Sequence, residues 1–162
     1  KTCYTQALAL GADIIVMLHP DYQYDPKLLP LLIAPIKLGY FDIMLGARIR
    51  SRREALAGGM PAYKYFSNRV LTFLENLVLG LNLTEYHTGY RAYSRKVLEK
   101  VNFKKFSDDF IFDQEMLIQA HKKGFKIGEV SVPVKYFPEA SSINFLRSVK
   151  YGLETLKLLF TS

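Results

Sequence analysis

The stretch Ile14-Ile15-Val16-Met17-Leu18-His19-Pro20-Asp21-Tyr22-Gln23-Tyr24-Asp25-Pro26 decides how the rest of the chain is read. An apolar, β-branched run ends abruptly in a cluster of oxygen and nitrogen donors, and Asp25-Pro26 then opens the next element. A short apolar run bounded by turn residues has the length of a buried strand. In open α/β sheets the carboxyl ends of the strands line the ligand crevice, so a carboxylate one step past such a strand points at whatever binds there. His19, Asp21 and Gln23 have the spacing to hold a divalent cation against a phosphate. The same residues also suit an ordinary strand-to-helix turn. Asp25 takes that plainer part, as N-cap with Pro26 at the first helical position. For Asp21 both readings stand.

Length and composition narrow the class. A chain of 162 residues fits one domain with a real core. Its 49% hydrophobic and 23% charged content is that of a globular chain rather than a disordered one. The single cysteine, Cys3, excludes an internal disulfide and fits a reducing compartment. No secretory pattern is visible, and no apolar run reaches the roughly 18 residues that span a bilayer. A cytoplasmic location is therefore expected.

The formal charge is +7, from 22 Lys+Arg against 15 Asp+Glu, and such a surface favours anionic partners. Arg48, Arg50, Arg52 and Arg53 form a knot, and Lys64, Arg69, Arg91, Arg95 and Arg147 recur singly. Arginines scattered around a cleft suit phosphate groups better than a long duplex. No nucleic-acid-binding signature is present, so nucleic acid is not expected as a partner.

Along the chain, Thr2 to Leu10 reads as a helix stopped by Gly11, and Ala12 to Leu18 as a strand. A start inside a helix points to something missing upstream. Asp25-Pro26 begins a leucine-rich helix that Pro30 and Pro35 must distort. Asp42 to Ala47 reads as a strand that delivers Arg48 to the same sheet edge as Asp21, if the two strands run parallel. Residues 48–60, with Gly58-Gly59, read as a mobile loop. Pro61 opens a long helix with Phe66, Val70, Phe73, Leu74, Leu77, Val78 and Leu81 at helical spacing, expected to pack into the core. Gly89 to Tyr93 reads as a strand and Ser94 to Val101 as a short helix. Asp108 to Lys123 reads as a helix closed by Gly124, and Lys126 to Phe137 as one or two strands broken by Pro133. Ser142 to Phe160 reads as an amphipathic helix, and His87 and His121 as surface or loop residues.

The ordered set of these pieces resembles the inverting family 2 glycosyltransferases with a GT-A fold, of the dolichol-phosphate mannosyltransferase or polyprenyl-phosphate sugar transferase type. His19-Pro20-Asp21-Tyr22-Gln23-Tyr24-Asp25-Pro26 sits where that family has an Asp-x-Asp-x-Gln-x-x-Pro-like metal site. Gly46-Ala47-Arg48 matches its Gly-[Ser/Ala]-Arg, and Ser67-Asn68-Arg69 its helix start. Thr88-Gly89-Tyr90-Arg91-Ala92-Tyr93 matches its Thr/Ser-Gly-Phe-Arg-Ala-Tyr run. Phe112 to Leu117, Gly124 and Glu129 to Val134 match its closing helix and strand. The resemblance covers nearly the whole chain but only the later two-thirds of such a catalytic domain.

The resemblance implies an α/β, GT-A-like mixed sheet flanked by helices. Residues 1–162 would form one partial domain, with 142–160 as its amphipathic carboxy-terminal helix. It implies transfer of a sugar from a nucleoside-diphosphate sugar to an acceptor, a polyprenyl phosphate above all, on the cytoplasmic face of a membrane. A divalent cation, Mn or Mg, would neutralise the leaving diphosphate. Asp21 and Gln23 would hold it, with His19 either a third ligand or a lining residue; an imidazole there suits Mn better than Mg. Arg48, Arg69 and Arg91 would gather the phosphates, and Arg48 and Arg91 would contact the nucleotide sugar. Arg91 also admits a purely structural reading, paired with Glu85 or Asp113. Glu115, or Asp113, would act as base if the acceptor were a hydroxyl; two positions apart on a helix, at most one of them points inward. The family's base-binding strands have no counterpart here, so the segment alone is expected to be inactive. The alternative is a non-catalytic basic domain, derived from such an enzyme, that binds a membrane or a partner.

Overall fold

The computed structural model describes residues 1–48, 51–57, 59–134 and 145–161. Arg50, Gly58 and Ile143, the strand continuation through 135–137 and the helix start at 142–144 lie outside the described residues.

Among the described residues four strands form one mixed sheet: β1 (Ile14–Met17), β2 (Ile43–Ala47), β3 (Arg91–Ser94) and β4 (Ile127–Ser131), in the order β1-β3-β2-β4. β3 runs antiparallel to both β1 and β2, so those two are parallel to each other, and β4 is parallel to β2. The carboxyl ends of β1 and β2 therefore open on the same sheet edge. Because β3 runs the other way, the segment that precedes it, not the one that follows, reaches that edge.

Side chains alternate across the sheet with the strand period of two. Ile43, Leu45 and Tyr93 face a cluster built with α1 (Thr2–Ala9), α5 (Arg95–Lys100) and α6 (Phe112–Lys122), while Met44 and Ala92 face α2 (Leu29–Lys37). The result is the expected three-layer α/β arrangement. Asp25 caps as expected: its Oδ1 accepts from the Lys27 amide at 2.9 Å, and Pro26 opens a short 3₁₀ turn that leads into α2. Pro35 is carried inside α2.

Two expectations are overturned. Within 48–60, read as a loop, α3 (Arg52–Ala57) forms and buries Ala55. The second concerns α4 (Ala62–Leu79), whose apolar stripe faces out rather than into the core. Phe66, Val70, Phe73 and Leu77 are 58–70% exposed, whereas the buried positions are Asn68, Thr72 and Glu75. Periodicity shows that a helix has two faces; it does not say which face meets the protein. Here polar partners supplied by the loop before β3 draw the polar face inward. The last helix, α7 (Phe145–Thr161), packs against α4, and it too leaves Leu146, Leu153 and Phe160 exposed.

Candidate active site

The sheet edge described above carries a cavity of about 230 Å³. Its wall takes His19, Gln23 and Tyr24 from the end of β1, Arg48 from the end of β2, and His87, Gly89 and Arg91 from the approach to β3 and its first residue. Lys64 and Asn68 on α4, Asp113 on α6 and Tyr151 on α7 close it.

The turn after β1 is tightly constrained. Tyr22 sits in the left-handed region at φ +58°, unusual for a bulky side chain, while the Gln23 amide donates to Asp21 Oδ1 at 3.2 Å. That turn buries Gln23 in the cavity wall and leaves Asp21 Oδ2 buried with no hydrogen-bond partner. The His19 ring lies so close to Gly89 that a Cβ there would sit 3.0 Å from it, and any side chain at this position would push the ring aside. Tyr24 ties the turn to the β3 approach, its hydroxyl 3.3 Å from Thr88 Oγ1 and accepting from the Gly89 amide at 3.2 Å.

Arg48 is anchored rather than loose. Its Nε donates to Glu85 Oε1 at 2.8 Å and its amide to Glu85 Oε2 at 2.6 Å. Its Nη2 donates to Glu85 and, at 2.8 Å, to the His87 carbonyl. Glu85 is fully buried and also accepts from Asn68 Nδ2 at 3.1 Å. Burial pushes its carboxyl up, but the charge and hydrogen bonds of Arg48 outweigh burial and hold it below the usual carboxylate range. Lys64 is half-buried, and burial first, then the Arg48 charge, lowers its ammonium pKa. Two cations thus crowd one wall, a state that an incoming anion relieves.

Arg91 is 1% exposed and spends its guanidinium on main-chain carbonyls: Nε to Thr88 at 2.6 Å, Nη1 to Asp113 at 2.8 Å and Nη2 to Tyr86 at 2.7 Å. Burial disfavours its charge, yet the neighbouring Asp113 and Tyr93 more than compensate, and its pKa rises. Of the two carboxylates on α6, Asp113 lines the cavity, whereas Glu115 accepts from the Ser107 amide at 2.7 Å. Arg69 lies outside the cavity lining, exposed, with its Nη1 on the Thr84 carbonyl at 2.8 Å. His19, Gln23, Arg48 and Arg91 are therefore brought together around the cavity, whereas Asp21, in the same turn as Gln23, Arg69 and Glu115 are not among its lining residues.

His87 departs from its surface reading. Its side chain is 9% exposed, and its Nε2 stands 3.1 Å from Oε2 of the fully buried Glu75. That contact has the distance but not the alignment of a formed hydrogen bond, and Glu75 has no formed hydrogen bond. A sequence signal for this existed. Asn68, Thr72 and Glu75 recur at helical spacing, a polar stripe as regular as the apolar one.

A divalent cation fits this edge only in part. Among the described residues no group of three or more His, Cys, Asp or Glu side chains forms a cage. In the turn after β1, Asp21 Oδ2 is a buried carboxylate oxygen without a hydrogen-bond partner, and the remaining ligands would have to come from a bound diphosphate.

Residues 6–102 match the model of a family described as Glycosyl transferase family 2. Over 157 residues the chain is 31% identical to a UDP-N-acetylglucosamine--dolichyl-phosphate N-acetylglucosaminyltransferase of Methanococcus voltae, covering 94% of this chain and 62% of that protein. It is 31% identical over 133 residues to the low-salt glycan biosynthesis hexosyltransferase Agl6 of Haloferax volcanii, covering 82% of this chain and 31% of the relative. Among solved structures it resembles glucosyl-3-phosphoglycerate synthase from Mycobacterium tuberculosis, crystallised with Mn²⁺, uridine-diphosphate-glucose and phosphoglyceric acid. That likeness has a TM-score of 0.67 at 17% identity and covers 98% of this chain and 52% of that one. The chain thus spans less than two-thirds of the length of each.

Proposed function

Since the chain belongs to glycosyl transferase family 2, we propose that it forms the acceptor-side portion of an enzyme that moves a sugar, with inversion, from a nucleoside-diphosphate sugar to a lipid-linked phosphate. The observation that carries this reading is the shared sheet edge: β1 ends in the turn that holds the unpartnered Asp21 oxygen, and Arg48, at the end of β2, lines the cavity there with Lys64. Asp21 and Gln23 would hold a divalent cation whose charge stabilises the departing diphosphate. Arg48, fixed by Glu85, presents positive charge without reorganising. Arg91 acts from beneath, bracing the Tyr86–Thr88 segment that walls the site.

Two observations favour a lipid-linked acceptor. One is the dolichyl-phosphate substrate in the name of the M. voltae relative. The other is the outward apolar face of α4 and α7. Leaving Phe66, Val70, Phe73 and Leu77 about two-thirds exposed forgoes on the order of 4–8 kcal/mol, at roughly 1.5–3 kcal/mol per fully exposed side chain. That loss is comparable with the whole stability of a domain. Laid on a membrane surface, with Arg147, Lys150 and Lys157 of α7 near anionic headgroups, the same face recovers it. Among the described residues no helix is long and apolar enough to cross a membrane.

The test is sugar transfer to a polyprenyl phosphate in vesicles by the full-length protein. Asp21→Asn should abolish the divalent-dependent rate and leave the melting transition in place. Undiminished turnover in that variant removes the cation from Asp21.

A further inference from the structure

The turn after β1 carries two costs that its own residues do not offset. Tyr22 stands at φ +58° with its side chain 85% exposed, so its own packing does not hold it in the left-handed region. Asp21 keeps Oδ2 buried without a partner. The Gln23 amide on Asp21 Oδ1 lies within the turn and cannot set the turn's place against the sheet. The restraint has to come from outside.

It comes from Tyr24 and Thr88. Thr88 Oγ1 donates to the Gly46 carbonyl at 2.7 Å, and a carbonyl can only accept, so the threonine proton is spent there. The 3.3 Å contact between the two hydroxyls therefore runs from Tyr24 to Thr88. Thr88 Oγ1 also accepts from the Tyr90 amide at 3.2 Å, and the Tyr24 oxygen accepts from the Gly89 amide at 3.2 Å. Tyr90 reaches back the other way. Its ring centroid lies 5.2 Å from that of Tyr24, and its hydroxyl donates to the Asp25 carbonyl at 3.4 Å. Tyr24, Thr88 and Tyr90 are all buried, so water competes little for these bonds. One threonine hydroxyl thus joins three segments: the turn after β1, the end of β2 two residues before Arg48, and the approach to β3.

We propose that Tyr24 and Thr88 are positioning residues, a clasp that holds the Asp21–Gln23 turn in its strained form and sets it in register with Arg48 before any ligand arrives. This inference rests on the reading of Asp21 as a cation ligand. With their hydroxyls spent on one another and on the main chain, neither residue is offered to substrate. When the clasp is cut the turn relaxes, and the cation binds the fraction of molecules in which the turn is formed. The apparent dissociation constant rises by that factor, whereas the rate at saturating cation holds. A role confined to stability would lower the melting temperature and leave the cation affinity of the folded protein alone.

The experiment counts free Mn²⁺ by electron paramagnetic resonance, well below the melting temperature, in solutions of the full-length protein. Uridine or guanosine diphosphate is present, whichever wild type takes up with the metal. Tyr24→Phe and Thr88→Val should each raise the Mn²⁺ dissociation constant about 10–100-fold, as loss of an outer partner of a metal ligand does. Thr88→Ser keeps the hydroxyl and should bind as wild type does. Sugar transfer to polyprenyl phosphate by Tyr24→Phe should approach the wild-type kcat at saturating Mn²⁺. Asp21→Asn is the control and should take up no metal. Because Tyr24→Phe keeps the ring and its packing on Tyr90, it decides the matter even where Thr88→Val does not fold. Three results each overturn the clasp: wild-type affinity in either folded variant, a Thr88→Ser as weak as Thr88→Val, or a kcat deficit that saturating Mn²⁺ leaves in place. With Asp21→Asn unable to bind, the cation reading survives all three. Wild-type Mn²⁺ binding by Asp21→Asn, or no uptake by wild type with either nucleotide, overturns both.

Discussion

Replacing Arg91 by methionine tests whether this buried cation serves the fold or the substrate. The side chain makes three charge-assisted hydrogen bonds, to the Thr88, Asp113 and Tyr86 carbonyls. At roughly 1.5–3 kcal/mol each, their gross worth is about 5–9 kcal/mol. Removing the guanidinium also relieves a desolvation penalty of several kcal/mol, so the expected net loss is about 3–5 kcal/mol. Against a total of about 5–15 kcal/mol, the variant sits near the edge of folding. Urea titration followed by far-UV circular dichroism reads this directly. With a slope of about 2 kcal/mol per molar, a loss of about 4 kcal/mol moves the midpoint down by about 2 M. A variant within about 1 kcal/mol of wild type that nevertheless fails to transfer sugar would refute the reasoning. Arg91 would then be a substrate contact.

Acid stability gives a second check, on Glu85. Its folded carboxyl lies below its ordinary value, so its contribution is present above the ordinary Glu range near pH 4.3 and is lost as pH falls through the lower folded value. Glu85→Gln should cost about 3–5 kcal/mol at pH 7 by stranding Arg48. It should also flatten the fall in stability between pH 5 and 2, as read by urea midpoints across that range. The outward faces of α4 and α7 give a third. Full-length protein should co-sediment with anionic vesicles in a salt-sensitive way, and Phe73→Asp with Leu153→Asp should weaken that binding at least tenfold. Binding indifferent to both substitutions would assign the stripes to another contact.

Much of this architecture was legible in the sequence, for reasons that are local. The Asp25-Pro26 cap is a three-residue event, and the apolar runs of β1 and β2 differ from their surroundings in composition alone. The parallel run of those strands, with Arg48 and Asp21 at one edge, follows from the ordinary logic of open sheets. What escaped depends on distant partners. His87 looks like a loop histidine until Glu75, twelve positions earlier, and Tyr151, 64 positions later, close around it. Arg91 sits in a motif that invites a phosphate, yet its partners are carbonyls, which no side-chain pattern displays. The orientation of α4 is not legible either, because an apolar stripe has the same spacing whether it faces the core or outward.

The antiparallel insertion of β3 between β1 and β2 also dictates when this sheet can form during synthesis. Neither earlier strand touches the other, and β1 has β3 as its described strand neighbour. β2, which ends at Ala47, must therefore wait 47 residues, until Ser94 has been made, before β3 can seat beside it. At bacterial or eukaryotic elongation rates of about 5–20 residues per second, that is a delay of roughly 2–9 s. For that interval two apolar strands are on offer to each other, to chaperones and to neighbouring nascent chains. The segment from Glu85 to Ser94 thus helps to wall the cavity and also marks the point in synthesis at which β1 and β2 gain their shared neighbour, while the other edge of β2 waits for β4 to end at Ser131.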